Sequence, residues 1–220
     1  MRIGVIHATM TAVEPLNRAL RDAAPDIDVC NFVNEELLFH ANQAGGIDGW
    51  GLRNFYRLFM QAAESCVEGI IIACSIYSTC ADQAGKLTEK PVIAIDQPMV
   101  RLAASQGKRI GILATTASAG PIEEQKILEE SRRLGKEIEP RVLVCTDAFA
   151  ALKSGSEETH NRILLDAAGE LKAQGCDTIV LSQITMACAK KGMEELGIPI
   201  LSSPDSGARY LIDCINKGKY

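Results

Sequence analysis

The sequence lacks the features that mark membrane, nucleic-acid-binding or metal-binding proteins. No apolar run in its 220 residues reaches the roughly 18 residues that a membrane-spanning helix needs. Lysine and arginine form no basic stripe in a chain of net charge −5, so nucleic acid is not an expected partner. There is no C-x-x-C pair and no histidine cluster at zinc spacing, so no metal is expected. The G-x-G-x-x-G turn and the P-loop are also absent, which argues against a nucleotide cofactor.

The composition is that of a globular protein with an ordinary core, at 47% hydrophobic and 23% charged residues. The opening segment is too short and too polar for a signal peptide, so we expect a cytoplasmic location. In that reducing compartment the eight cysteines should mostly be free thiols. A cysteine considered without its position is usually a small buried apolar residue, so only position can give one of them a chemical role.

The two halves of the chain resemble one another. RIGVIHAT at 2–9 matches RIGILATT at 109–116, GIIIACS at 69–75 matches TIVLSQI at 178–184, and PVIAIDQP at 91–98 matches PILSSP at 199–204. All three matches share an offset of 107 to 109 residues. Any α/β chain can produce one such match by chance, but three in register indicate an internal duplication.

Short apolar runs bounded by turn residues predict eight buried strands. Between them lie helical patterns, at 12–24, 52–67, 121–134 and 157–174. The runs fall near 2–7, 27–33, 69–73, 92–95, 109–114, 140–145, 177–182 and 198–201. This alternation predicts an α/β fold of two pseudo-symmetric domains, each a roughly four-stranded parallel sheet flanked by helices, with a ligand cleft between them. We expect 1–97 plus 206–220 to form the first lobe and 98–205 the second.

Cys74 is the residue that this architecture favours most strongly for chemistry. It follows the run Ile-Ile-Ile-Ala at a strand end and precedes a helical stretch. The free N–H groups at a helix start favour a thiolate, which is the form of cysteine that acts as a base or nucleophile. The same N–H groups could hold a substrate carboxylate or a developing enolate oxygen.

Hydroxyl-bearing residues follow the other predicted strands and could bind a carboxylate. They are Thr9 and Thr11 in the first half, Thr115 and Thr116 in the second, and Ser75 beside the thiol. His7 would make a tempting partner for Cys74, but its counterpart in the repeat is Ala114, which favours a structural histidine. His40 and His160 lie in polar surroundings and are expected at the surface.

These segments resemble the aspartate/glutamate racemase superfamily, which includes amino-acid and hydantoin racemases, maleate isomerase and arylmalonate decarboxylase. The resemblance spans nearly the whole chain. It rests on IIIACS, PVIAIDQP, GKRIGILATTAS, GCDTIVLSQIT and GIPILSSPDSGARYLI. It implies cofactor-free chemistry in which each half offers a cysteine after its third strand, and one thiol removes the proton that the other returns. Cys74 matches the first of these cysteines.

The second half departs from the family pattern. Where such enzymes usually have Leu-Gly-Cys-Thr, this chain has Leu181-Ser182-Gln183-Ile184. Gln183 cannot act as a base and can only form hydrogen bonds. Thr185 stands next to the position of the family's carboxylate-binding threonine. Cys188 lies further into the following helix, where core packing is expected for it and for its repeat counterpart Cys80.

The sequence therefore predicts a cofactor-independent enzyme that acts at the carbon next to a carboxylate, of isomerase, racemase or lyase type. Cys74 would be its single acid/base or nucleophile, and Gln183 would lie opposite the thiol. The substrate would be a small carboxylate or an amino-acid-like molecule, and a homodimer is the general expectation. Two alternatives remain: a catalytically silent binder of small carboxylates, and a flavodoxin-like or NAD-using protein.

Overall fold

The computed structural model describes residues 1–218, and strands and helices alternate along them. The strands are β1 (Arg2–His7), β2 (Asp28–Val33), β3 (Gly69–Ile72), β4 (Val92–Ala94), β5 (Arg109–Ala114), β6 (Glu139–Val144), β7 (Thr178–Leu181) and β8 (Ile200–Ser202). The α-helices are α1 (Val13–Ala23), α2 (Glu36–Ala44), α3 (Gly49–Glu64), α4 (Ala81–Gly85), α5 (Gln97–Gln106), α6 (Ala119–Arg133), α7 (Thr146–Lys153), α8 (Glu157–Ala173) and α9 (Ser203–Lys217). Segments of 3-10 helix span Met10–Ala12, Tyr77–Cys80 and Ile184–Leu196.

The chain divides into two compact units, Met1–Gln97 with the chain from Pro204 onward, and Pro98–Ser203. The first unit contains a parallel sheet of strand order β2-β1-β3-β4, and the second contains one of order β6-β5-β7-β8. The two orders are the same when the strands are numbered within each unit. The predicted α/β fold of two domains, each with a four-stranded parallel sheet, is confirmed. Lys219 and Tyr220, the end of the predicted 206–220 segment, lie outside the described residues.

An arginine–carboxylate ion pair joins the first two strands of each sheet at their amino ends, which agrees with the repeat seen in the sequence. Arg2 on β1 is registered with Asp28 on β2, and their side chains lie 3.1 Å apart. Arg109 on β5 is registered with Glu139 on β6, at 2.9 Å. These pairs are exposed and contribute little to stability. They show that the two sheets share one strand register, but they do not determine it.

Helices cover both faces of the second sheet. The alternate residues of its central strands point to opposite faces, so each face contributes side chains to a separate part of the core. Leu113 and Ile179 pack with Leu164, Ala168 and Leu171 of α8 on one face. The opposite face is formed by other core residues: Ile110, Ile112 and Val180 pack with Met99 of α5 and Ile127 of α6. A sheet covered on both faces needs nearly continuous apolar strands, which is why the short apolar runs predicted the strands well. No helix among residues 1–218 is long and apolar enough to cross a membrane.

The carboxyl end of α3 is held by a lysine from the loop before β4. Lys90 Nζ donates hydrogen bonds to the carbonyl oxygens of Ala63, at 2.7 Å, and Ser65, at 2.6 Å. The last carbonyls of a helix have no partner within the helix, and a cation there also meets the negative end of its dipole.

We expect Lys90→Met to lower the free energy of unfolding by about 1–2 kcal/mol, the range for charge-assisted hydrogen bonds that are partly solvated. Lys86→Met is the matched control, because the Lys86 Nζ donates to the exposed side chain of Gln83. Urea unfolding of both variants measures the difference. Equal midpoints for the two variants would show that Lys90 does not stabilise α3.

Candidate functional site

In the first unit, Cys74 lies two residues beyond the end of β3. Its side chain is half-buried. The main chain places it beside the loop after β1, because Ile6 is registered with Ile72 and the Ala73 N–H donates to the Ile6 carbonyl oxygen at 2.9 Å. Cys74 and Thr9 therefore leave adjacent strands at the same edge of the sheet.

The chain turns immediately after Cys74. The Ser78 N–H donates to the Cys74 carbonyl oxygen at 2.7 Å, and the 3-10 segment Tyr77–Cys80 continues into the short helix α4. The helical stretch expected behind the thiol is a 3-10 turn followed by five residues of α-helix. The dipole of so short a helix is small. An anion at this turn would therefore be bound by individual backbone N–H groups and not by a helix macrodipole.

The Cys74 turn is tied to the end of β4 by a buried polar contact. The Ser78 hydroxyl lies 3.2 Å from Asp96 Oδ2 and 2.8 Å from the Ser75 carbonyl oxygen, and both oxygens are acceptors. Ser78 and Asp96 are 5% and 2% exposed. Neither residue was assigned a role from the sequence. The signal available there was a single carboxylate in the apolar run PVIAIDQP.

Thr9 and Thr11 lie together in the loop after β1. Their hydroxyl oxygens are 3.0 Å apart, and the Thr9 hydroxyl also accepts the Thr11 N–H at the start of the 3-10 segment Met10–Ala12. Thr9 is half-buried and Thr11 is exposed. Ser75, next to the thiol, is half-buried. These three residues are accessible hydrogen-bonding groups at the Cys74 end of the sheet.

His7, the last residue of β1, is a buried structural group. Its Nε2 lies 2.8 Å from Asn31 Oδ1, while Nδ1 is buried with no hydrogen-bond partner among residues 1–218. Burial lowers the pKa of His7 below its usual 6.5, against the opposing effect of the Asn31 hydrogen bond. His7 is therefore neutral at pH 7, with its hydrogen on Nε2.

This burial predicts acid sensitivity. The unfolded chain takes up a proton at His7 near pH 6.5, whereas the folded chain takes it up only at lower pH. Between those values the unfolded state binds more protons, so the free energy of unfolding falls as pH falls below about 6.5. We expect His7→Gln to flatten the fall in melting temperature between about pH 7.5 and about pH 5.5, and the control His40→Gln to retain it. Parallel curves for His7→Gln and the wild type would contradict this assignment.

In the second unit, Gln183 occupies the place that Cys74 has in the first, two residues beyond the end of β7. Gln183 is half-buried, and its Oε1 accepts the Thr115 N–H at 2.6 Å, with the Ser182 hydroxyl 3.4 Å away. With the amide oxygen engaged, the group that Gln183 can offer a ligand is its NH₂ donor.

The three predicted threonines of this unit differ in accessibility. Thr115 is 1% exposed, and its hydroxyl has no hydrogen-bond partner among the described residues. Thr116 is half-buried at the start of the loop after β5. Thr185 is half-buried in the first turn of the 3-10 segment Ile184–Leu196. The Thr115 N–H is already occupied by Gln183, so Thr116 and Thr185 are the more accessible groups.

Two residues outside this set differ from expectation. Cys188, expected in the core, is exposed, and its sulfur lies 3.3 Å from Asn161 Oδ1 and 3.2 Å from the Thr185 carbonyl oxygen. His160, expected at the surface, is 0% exposed, with Nδ1 2.8 Å from the Ala148 carbonyl oxygen. Because α7 packs on α8, a histidine flanked by polar residues in sequence is covered by another helix. No group of three or more His, Cys, Asp and Glu side chains within 1–218 could hold a metal ion.

The two α/β units share one topology, so the chain is a duplicated α/β protein. A thiol follows a central strand of the first unit, and an amide follows the equivalent strand of the second. The chain belongs to the Asp/Glu/Hydantoin racemase family, whose model matches residues 3–211. The resemblance identified in the sequence is thus confirmed. No curated protein sequence matches the chain.

Several solved structures have the same fold. An allantoin racemase from Klebsiella pneumoniae superposes with a TM-score of 0.74 at 20% identity, over 100% of this chain and 89% of that one. An aspartate racemase from Picrophilus torridus gives 0.75 at 12% identity, over 98% and 94%. A maleate cis-trans isomerase variant from Nocardia farcinica, with a covalently bound succinylcysteine intermediate, gives 0.64 at 17% identity, over 98% and 92%. At these identities the similarity establishes the fold.

Proposed function

We propose that this protein is a cofactor-independent enzyme that acts at the carbon next to a carboxylate, with Cys74 as its single thiol. The observation that carries the proposal is the pair of equivalent strand ends, with the half-buried Cys74 after β3 and the amide of Gln183 after β7. An amide neither gives nor takes a proton at neutral pH, so Gln183 cannot be a second base. Isomerase or lyase chemistry therefore fits this chain better than two-base racemisation.

The proposed chemistry uses one face of the substrate carbon. As a base, the Cys74 thiolate takes the α-proton, and the electron pair moves into the carboxylate to give an enediolate. As an acid, the thiol returns a proton to the same carbon, which regenerates the thiolate. As a nucleophile, the thiolate adds to a carbon–carbon double bond, and the adduct carbanion expels sulfur after rotation about the new single bond. The succinylcysteine described for the Nocardia isomerase is an adduct of this kind, which supports the nucleophilic route.

The other predicted residues would bind the substrate. Thr9, Thr11 and Ser75 would donate hydrogen bonds to a carboxylate from the first unit, and Thr116 and Thr185 from the second. The Gln183 NH₂ would donate to a further carboxylate or carbonyl oxygen, because its own oxygen is held by Thr115. Thr115 would then position Gln183 through its N–H. We propose a small carboxylate or amino-acid-like molecule as the substrate.

Proton exchange in deuterated water tests this proposal. Aspartate, glutamate and maleate are supplied to the purified protein, and NMR follows α-deuterium and new products. We expect one of them to incorporate deuterium without loss of configuration, or to isomerise. Configuration is kept because the single thiol removes and returns the proton on the same face of the α-carbon. If none reacts while a ligand still raises the melting temperature, the protein is a carboxylate binder. A bound flavin or nucleotide after purification would support the other alternative, a flavodoxin-like or NAD-using protein.

A further inference from the structure

Tyr77, three residues after Cys74, is a large buried side chain of the Cys74 turn. Tyr77 is 1% exposed and lies in the 3-10 segment that closes the Cys74 turn. Its ring stacks on Phe55 of α3, with centroids 5.2 Å apart and planes 16° from parallel. Its hydroxyl donates to the Leu37 carbonyl oxygen of α2 at 3.3 Å. One residue of the turn thus contacts both helices between β2 and β3.

A glycine in the first turn of α3 makes room for the Tyr77 hydroxyl. A Cβ at Gly51 would lie 2.7 Å from Tyr77 Oη, closer than real Cβ contacts, while its other neighbours, in Asp48 and Ile47, would be 3.4 Å away. A tyrosine ring is rigid, and this one is stacked and buried, so its oxygen can yield only if the whole side chain moves. Gly51 is therefore required for space at this contact.

We propose that Tyr77 is a positioning residue for Cys74, held in place by α2 and α3 through its fit against Gly51; the inference rests on the proposed function of Cys74. The link is mechanical. The N–H of Ser78, the residue after Tyr77, donates to the Cys74 carbonyl oxygen at 2.7 Å. Displacement of the Tyr77 ring would therefore strain this hydrogen bond and shift the backbone of Cys74. The segment 34–51 then contributes to thiol geometry without contacting the substrate.

The electrostatics of the contact agree with a fixed, neutral phenol. Burial, followed by the nearby negative charges of Cys74 and Asp48, raises the pKa of Tyr77 to about 12. The hydroxyl therefore keeps its proton across the pH range in which a thiol titrates, and its hydrogen bond to Leu37 persists. Tyr77 does not serve as an acid or a base at the site.

The test compares Gly51→Ala, Tyr77→Phe, the double variant Gly51→Ala/Tyr77→Phe and the control Gly49→Ala. A Cβ at Gly49 would meet only the flexible Arg53 Nη1, at 3.4 Å, and both glycines lie in the first turn of α3. The readout is the rate of Cys74 alkylation by iodoacetamide against pH, measured by peptide mass spectrometry, with exposed Cys66 as an internal reference. Deuterium incorporation by the same variants gives the effect on turnover.

We expect Gly51→Ala to speed Cys74 alkylation about fivefold, with a shifted pH profile, and to cut turnover about tenfold, because a small misplacement at a reacting group is costly. The double variant should restore both to within about twofold of the wild type, since Phe lacks the clashing oxygen. Gly49→Ala should behave as the wild type does. Tyr77→Phe keeps the stacked ring but loses the hydrogen bond to Leu37, so it should show the same change of up to about twofold as the double variant.

A wild-type Cys74 profile in Gly51→Ala, or no rescue in the double variant, overturns the proposal. If Gly51→Ala does not fold, Phe55→Leu carries the test, because it removes the ring that supports Tyr77 and should shift the Cys74 profile in the same way. An unchanged profile in that variant also overturns it. Alkylation does not require turnover, so shifted and rescued rates in an inactive protein would refute the proposed function of Cys74 and leave its positioning standing.

Discussion

Replacing Cys74 with alanine is expected to reduce turnover at least about a thousandfold, because the variant has no group that can carry the proton or form the adduct. The loss should appear in kcat, with binding of the carboxylate little changed, since the hydroxyl and amide donors remain. Deuterium incorporation with the best substrate from the screen measures the loss. Because Cys74 is only half-buried, the melting temperature should change little.

Cys66→Ala is the matched control, since Cys66 is an exposed cysteine of the same unit, outside the predicted site. It should retain wild-type turnover. A Cys74→Ala protein that turns substrate over at a wild-type rate would remove the thiol from the mechanism. A variant that binds the ligand as tightly as the wild type but catalyses nothing is the result that the proposal requires.

Gln183→Cys is expected to convert exchange with retention into racemisation of the same substrate. The resemblance to the racemases implies a thiol after the third strand of each half, and this substitution restores the second one. It also releases the Thr115 N–H, which the glutamine oxygen now occupies at 2.6 Å, as a donor for a substrate carboxylate. We expect racemisation at least about tenfold above the wild-type level, modest beside a natural racemase because the supporting residues are unchanged.

Chiral chromatography of a single enantiomer, incubated with wild type and variant, measures this gain. Gln183→Glu is the informative control. Its carboxylate can still accept the Thr115 N–H but offers no donor, so KM should rise by about tenfold or more from charge repulsion, without a gain in racemisation. Racemisation by wild-type protein at the rate of the Gln183→Cys variant would mean that a second base exists elsewhere.

The eight strands could be predicted because each is a short apolar run with polar residues at its ends, and each run overlaps an observed strand. The long helices α1, α3, α6 and α8 were predicted for the corresponding reason, an apolar stripe over several turns. The helices α2, α5 and α7 were not assigned. They span eight to ten residues, too few for periodicity alone to specify a helix, and packing against their neighbours stabilises them.

The positions of individual polar side chains were harder to predict. His160 has threonine and asparagine as neighbours, which predicted exposure, yet α7 covers it and accepts its hydrogen bond. Cys188 was expected in the core by its distance from Cys80 in the repeat, yet the 3-10 segment in which it lies places it at the surface. A change from α-helix to 3-10 helix rotates each residue to a new face, and the sequence pattern does not report it.

By itself, the sequence determined the strand pattern, the repeated architecture and the family, because each of these is recorded in local apolar periodicity and in the residues at strand ends. Only the tertiary structure showed that Gln183 accepts the N–H of Thr115, 68 residues away, that Ser78 contacts Asp96, and that Tyr77 fits against Gly51. Such contacts join groups far apart in the chain, and the angle at which elements pack decides which of them meet. Periodicity reports which face of an element is buried, whereas only packing reports what that face touches.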